Sequence, residues 1–398
     1  MNETQRAIFQ GIVYYYRENQ VICRYQIVLH DPVEPALLQT ALDSVRPLAG
    51  WYFQKVVWEK RDAHLEPNDA PCRVGVGEAA PKIPDETNGY LFSLHCAGNT
   101  LYFDWFHFLA DGRGFSPFMT LVLMAYCNLR YGTAFVCEPL EEDPPFDPEQ
   151  LLEEFPESQA PGDWKTPVVD IFEGVPDRIR LRLDRKSLVD AAVREGVKPF
   201  SALMGIVCQA SGAYLDKEQL IYSFPADLRG MLGLPNARYN CIATYQLPLK
   251  QAVGARLSSF VKTLDATIRE YLKPERLRYR MAEQMGFVCR VFQQKAPLRI
   301  QKRVFQMGEY ISGSPADFWV SYLGDPFVPR SSELERYVKD FQTWVLPDGA
   351  SLAMEVTSLH GVLTLCIENK VHRPGYMQTL RDAFTAEGVA VLESVELP

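Results

Sequence analysis

The sequence predicts an α/β fold made of two similar halves, each a mixed sheet with helices packed on it. Three observations predict it. Strand-like and helix-like segments alternate along 398 residues, this order restarts after one acidic and proline-rich interruption, and 47% hydrophobic against 23% charged residues supplies ample core. Such a composition excludes disorder as the main state, and the length suits about two or three domain-sized units. No exact internal repeat accompanies the matching order.

In the first half, Arg24 to Leu29 reads as a strand, and Val33-Glu34-Pro35 opens a helix with Leu38, Ala41, Leu42 and Val45 spaced three and four apart. Tyr90 to Cys96 and Leu101 to Phe108, joined by Ala97-Gly98-Asn99, give a hairpin signal. Phe115 to Tyr126 is an almost wholly apolar helix, so burial on most sides is expected.

The interruption follows. Glu138 to Ser158 carries nine acids and no base, equal to the whole net charge of −9. Its prolines, with Pro161, Gly162 and Pro167, break any regular element. It reads as a solvated linker over 138–176, dividing an N-terminal half, 1–158, from a C-terminal half, 177–398. The second half restarts with a strand at Ile179 to Leu183, then a helix capped by Asp184 and ended at Gly196. A buried helix, Ser201 to Tyr214, and a strand, Gln219 to Phe224, come next. Arg256 to Leu272 is amphipathic through Leu257, Phe260, Val261, Leu264 and Ile268, and Phe318 to Leu323 and Leu363 to Ile367 are further strands.

Composition removes several functions. An excess of 50 acids over 41 bases disfavours a phosphate-rich partner, and no aromatic-interleaved basic motif speaks for nucleic acid. The one basic stretch, Arg269 to Arg303, has ten Lys or Arg against three acids; it reads as solvated helix faces or as a landing surface for coenzyme A phosphates or an acidic carrier protein. Nine cysteines lie singly, without a C-x-x-C pair, as reduced thiols of a cytoplasmic protein do. The start lacks a secretory pattern, and Phe118 to Cys127 is about half of a membrane span. His30, His64, His95, His360 and His372 show no paired metal-ligand spacing, so no metal is expected.

One place combines a titratable group, a turn and buried surroundings: Phe106-His107-Phe108-Leu109-Ala110-Asp111-Gly112. Alternation sets Leu101, Phe103, Trp105 and His107 on one strand face, while the helix from Phe115 fixes the far end of the turn. An imidazole held there can take a proton from a hydroxyl, amine or thiol near neutral pH. Asp111 can tie the turn, and Gly112 supplies backbone freedom. The bland reading is a core histidine with a plain turn.

His107 to Gly112 resembles the H-x-x-x-D-G signature of the acyltransferase superfamily of chloramphenicol acetyltransferase, condensation domains and alcohol acetyltransferases. Phe224-Pro225-Ala226-Asp227-Leu228-Arg229 is similar to its P-x-D-L-R segment, Tyr239-Asn240-Cys241 to a segment carrying an asparagine, and Trp319-Val320-Ser321-Tyr322-Leu323-Gly324 to its V-S-N-L-G strand. The likeness runs in order from about residue 24 to about residue 324. It departs at Phe106, where many members have a first histidine, and in lacking the D-F-G-W-G segment of the plant branch.

The resemblance implies two chloramphenicol-acetyltransferase-like halves forming a V, with a central channel and His107 midway. It implies acyl transfer from acyl-coenzyme A or an acyl carrier protein to an alcohol or amine, with His107 as general base and no tightly bound cofactor. Asp111 would shape the site, paired with Arg24 or Arg229. Ser321 and Asn240 are the candidate oxyanion donors, and Phe106, Asp227, Arg229 and Trp319 the candidate substrate-binding or cleft residues. Two internal halves completing one cleft suit a monomer. The rivals are a non-catalytic binding relative and a condensation enzyme acting between carrier proteins.

Overall fold

A computed structural model describes residues 11, 21–61, 63–78, 83–143, 153, 166–167, 175–250, 256–293, 296–314, 316–327, 332–345 and 350–397. The first half begins with β1 (Ile22–Leu29), whose alternate residues Cys23, Tyr25, Ile27 and Leu29 are buried. Pro35, which needs no hydrogen-bond acceptor for its nitrogen, starts α1 (Pro35–Val45), and Leu38, Ala41, Leu42 and Val45 line its buried face. A hairpin of β2 (Gln54–Trp58) and β3 (Ala63–Pro67) follows, then the short β4 (Gly75–Val76).

The hairpin expected around Gly98 forms from β5 (Phe92–Ala97) and β6 (Thr100–Phe106), with Gly98 at φ 59°. Its tip is bonded to the β1–α1 corner, Leu29 N donating to Asn99 O at 2.8 Å and Val33 N to Gly98 O at 2.8 Å. Strand β6 stops at Phe106, so His107 opens the turn beyond the strand and does not belong to its alternating face. Helix α2 (Gly112–Tyr131) ends where Gly132 takes φ 66°. Phe115 stacks on Trp105 at 4.3 Å and joins Tyr25, Tyr52 and Phe118 in an aromatic core. Each such ring buried contributes about 1.5–3 kcal/mol.

Of the linker, the described start, 138–143, runs over the second half: Arg238 donates to the carbonyls of Leu140 and Glu141, and Asn236 N to Asp143 Oδ1 at 2.9 Å. Most of the rest lies outside the described residues, apart from the two-residue β7 (Thr166–Pro167).

The second half opens with β8 (Asp177–Asp184) and α3 (Arg185–Glu195), where Asp184 caps Ser187 N at 2.7 Å and Gly196 closes the helix at φ 70°. Then come α4 (Pro199–Leu215), buried nearly all round, β9 (Gln219–Asp227), the single turn α5 (Arg229–Leu232) and β10 (Ile242–Lys250). The amphipathic stretch is divided: Leu257–Ser259 forms a 3₁₀ turn, and α6 (Val261–Tyr271) starts after it. The basic stretch forms α7 (Pro274–Gln293) and α8 (Leu298–Ser312). It is not uniformly solvated, because Arg280 is buried and its Nε donates to Thr244 O at 2.8 Å.

The chain ends through β11 (Gly313–Ser314), which pairs with β7, then β12 (Ala316–Gly324), β13 (Val338–Val345), β14 (Ala350–Leu359), β15 (Val362–Asn369), α9 (Tyr376–Ala386) and β16 (Val391–Leu397). A seven-stranded sheet has the order β10-β9-β12-β14-β15-β8-β16, parallel only where β12 meets β9 and β14. The other large sheet is β13-β1-β6-β5-β4. Strand β13 therefore leaves the second half to pair with β1, Tyr25 opposite Thr343, while Thr357 Oγ1 of β14 donates to Phe341 O at 3.1 Å. Two sheet-and-helix halves are thus linked by a strand of the second half that enters the sheet of the first. Among the described residues no helix is long and apolar enough to cross a membrane.

Candidate active site

The turn carrying His107 is fixed by backbone bonds on each side. His107 N donates to Val21 O at 2.8 Å, Leu109 N to Phe106 O at 2.8 Å, and Trp105 Nε1 to Ala110 O at 2.9 Å. Asn240, from the second half, donates through Nδ2 to His107 O at 2.8 Å. With N and O both engaged the residue stays half-buried, and Nδ1 is enclosed.

Asp111 caps α2. Its Oδ1 accepts from Gly114 N at 2.7 Å and from Arg229 Nη2 at 2.8 Å, and its Oδ2 from Cys241 N at 2.7 Å. The cap and the ion pair use one carboxylate, so the helix start is locked to the other half. Arg229 also donates from Nε to Ala237 O at 2.9 Å, from Nη1 to Asp227 Oδ1 at 3.0 Å and from Nη2 to Tyr239 O at 2.9 Å. Burial works against the guanidinium charge, but Asp111 and then Cys241 and Asp227 outweigh it and hold Arg229 above the ordinary arginine range. Asp111 pairs with Arg229 and not with Arg24. Arg24 Nε meets Asp104 Oδ1 at 2.7 Å on the opposite face of β6 from Trp105, where His95 Nε2 contacts Asp104 Oδ2 at 2.6 Å.

Gly112 has no left-handed backbone, so its expected conformational freedom is not what the position uses. A Cβ there would come within 2.9 Å of Tyr25 Oη, which donates to Gly112 O at 2.6 Å. Gly114 is tighter: its Cβ would meet Arg238 O at 2.8 Å. Both glycines let the helix start approach neighbouring backbone.

The other expected site residues divide. Phe106 is buried and stacks on Phe108 at 5.9 Å, a packing position beside His107. Asp227 accepts from Arg229 and lies 3.5 Å from Arg113 Nε, so it holds the clamp. Asn240 is buried, and its Oδ1, enclosed beside the His107 backbone, has no hydrogen-bond partner among the described residues. Trp319 and Ser321 are half-buried on β12, on the strand face shared with Leu323. Leu323 Cδ1 lies 3.6 Å from the Cβ position of Gly112, which brings this face to the motif turn.

Sequence reasoning missed Glu355. It sits opposite Ser321 in the β12–β14 register, buried, on the sheet face that carries Ser321 and Trp319. Burial pushes its carboxyl up to about 7, Ser321 and Trp319 as donors work against the rise, and the Glu368 charge adds to it. The available signal was an acid in the middle of an otherwise apolar and hydroxylic strand, Ala350 to Leu359.

Solved structures overlay on nearly the whole chain. Polyketide synthase associated protein 5 from Mycobacterium tuberculosis matches over 95% of this chain and 96% of its own, with a TM-score of 0.64 at 16% identity. This is the condensation-domain, chloramphenicol-acetyltransferase-like fold. TRI101 of F. sporotrichioides, solved with coenzyme A and T-2, matches over 96% of this chain and 99% of its own, with a TM-score of 0.64 at 12% identity. The first condensation domain of the CDA synthetase covers 98% of each chain, with a TM-score of 0.62 at 14% identity. No family model matches the sequence, and no curated protein does.

Proposed function

We propose that the protein is an acyltransferase that moves an acyl group from a thioester, coenzyme A or carrier-bound, to a hydroxyl or amine, with His107 as general base. The observation that carries this reading is the turn itself: a half-buried histidine whose backbone N and O are both pinned, the second by Asn240 from the opposite half. Fixing a base between two halves pre-orients it for an acceptor and a donor that meet there. The likeness to TRI101, solved with coenzyme A, supports the donor class.

In this mechanism His107 removes the acceptor proton as the oxygen or nitrogen attacks the thioester carbonyl. The carbonyl π electrons move onto oxygen, where a hydrogen-bond donor receives the charge. Collapse reforms the carbonyl, breaks the carbon–sulfur bond and expels thiolate, which takes the proton back from the imidazolium. No covalent enzyme intermediate is required. Asp111 and Arg229 hold the turn and take no proton.

The test is thiol release from a panel of acyl-coenzyme A donors with alcohols and amines, wild type beside His107→Ala. The expected loss of kcat in the variant is about 10²- to 10⁴-fold. Release equally slow in both proteins overturns catalysis by this residue and favours a binding role.

A further inference from the structure

The β12–β14 pair presents a second titratable device toward the same turn. Trp319, Ser321 and Leu323 share one face of β12, and Leu323 touches the Gly112 position. Glu355 is buried and stands directly opposite Ser321 on the neighbouring strand, on the same sheet face as Ser321 and Trp319. On β1, Cys23 and Tyr25 are raised chiefly by burial, to which the Glu355 charge adds, and Tyr25 in turn donates to Gly112 O.

We propose that Glu355 is a positioning residue whose protonation switches the Ser321 hydroxyl between the buried carboxylate and the reacting carbonyl. This rests on the acyltransferase reading of the site. When Glu355 is ionised it can only accept, so the Ser321 O–H is spent on it. When Glu355 carries a proton, its own O–H donates to Ser321 Oγ, and the Ser321 proton is released to donate to the oxyanion. One proton moves on or off Glu355, and no other bond changes.

The surroundings favour such a switch. The groups acting on Glu355 are the neutral donors Ser321 and Trp319 and the like-charged Glu368; none is a cation. Arg178 of β8 is 3.4 Å from Glu368 instead, and Asp340 of β13 is paired with Arg182. Cys366, opposite on β15, is itself raised by burial. A buried carboxylate so placed gains a proton far above its ordinary range, and here that range reaches about 7.

The test follows kcat against pH for wild type, Glu355→Gln and Ser321→Ala. Wild-type kcat is expected to fall on the alkaline side of about pH 7, and Glu355→Gln, a fixed neutral mimic, to hold at least about tenfold more of its maximal rate above about pH 8. Ser321→Ala is expected to lose about 10²- to 10³-fold at its best pH and to lack that alkaline fall. An alkaline limb unchanged in folded Glu355→Gln overturns the switch. A readout free of turnover separates it from failure of the acyltransferase reading: the ¹³C carboxyl titration of Glu355, identified by its disappearance in Glu355→Gln. A midpoint near 7 that rises in Ser321→Ala supports the pair even where no thiol is released. An ordinary carboxylate midpoint, or one that ignores Ser321, sinks it.

Discussion

Asp111 and Glu355 are buried carboxylates on opposite sides of one interface, and they differ in their partners. Asp111 accepts from two backbone amides and one guanidinium, so its negative charge is matched at every oxygen. Glu355 stands beside Ser321 with no cation acting on it; burial raises its carboxyl to about 7, and the Glu368 charge adds to the rise. The acid in the recognisable motif is therefore fixed in place by three donors, and the acid outside any motif has no cation beside it. Fixed geometry and proton lability are assigned to different halves of the site.

Breaking the locked side has the largest expected effect. Arg229→Ala leaves Asp111 buried without its cation and strands the carbonyls of Ala237 and Tyr239. Removal of one partner of a buried pair costs about 3–5 kcal/mol, read as a lower urea midpoint. Arg229→Lys is expected to recover little, because one ammonium cannot reach the acceptors that the planar fork spans. A Lys variant as stable as wild type would remove the special standing of this clamp.

The labile side has an effect of opposite character, spread over pH. The Glu355 carboxyl is raised in the folded state, so between its unfolded value of about 4.3 and about 7 the native protein holds a proton that the unfolded chain has lost. Stability contributed by the neutral form is full below about pH 4.3 and declines as pH rises through about 7, by up to about 1.4 kcal/mol per pH unit. Glu368, raised by burial to about 7 against the pull of Arg178, titrates in the same window. Glu355→Gln is expected to remove roughly half of this paired slope in denaturant midpoints taken across that range. A slope identical to wild type would place the Glu355 proton elsewhere.

How far the sequence made this visible follows from range. Asp184 with Gly196, Pro35 before an apolar stripe, and Gly98 between two aromatic strands are local signals, and each marked its element to within a few residues. His107, Asp111 and Arg229 were legible because the motifs carry their order along the chain. The choice of Arg229 over Arg24 for Asp111 was not, because it depends on which carboxylate each arginine meets across distant segments, Asp104 for Arg24 and Asp111 for Arg229. The crossing of β13 to β1 and the meeting of Ser321 with Glu355 depend on strand pairing between distant segments. An alternating pattern fixes a strand's faces but not its neighbour. Phe106 departs from the motif, and its ring packs on Phe108 beside the half-buried His107.

The smallest effect sharpens the division of roles between the two candidate oxyanion donors. Asn240 already donates to His107 O, which makes it a holder of the base, whereas Ser321 lies on the face that carries the proton-labile acid. Asn240→Ala removes one hydrogen bond and is expected to lower stability by about 0.5–1.5 kcal/mol. Its kcat should fall by less than about tenfold with the alkaline limb intact, since loss of an oxyanion donor costs about 10²- to 10³-fold. A deficit of that larger size would move the donor role from Ser321 to the second N–H of Asn240, and Glu355 would then have no hydroxyl to govern.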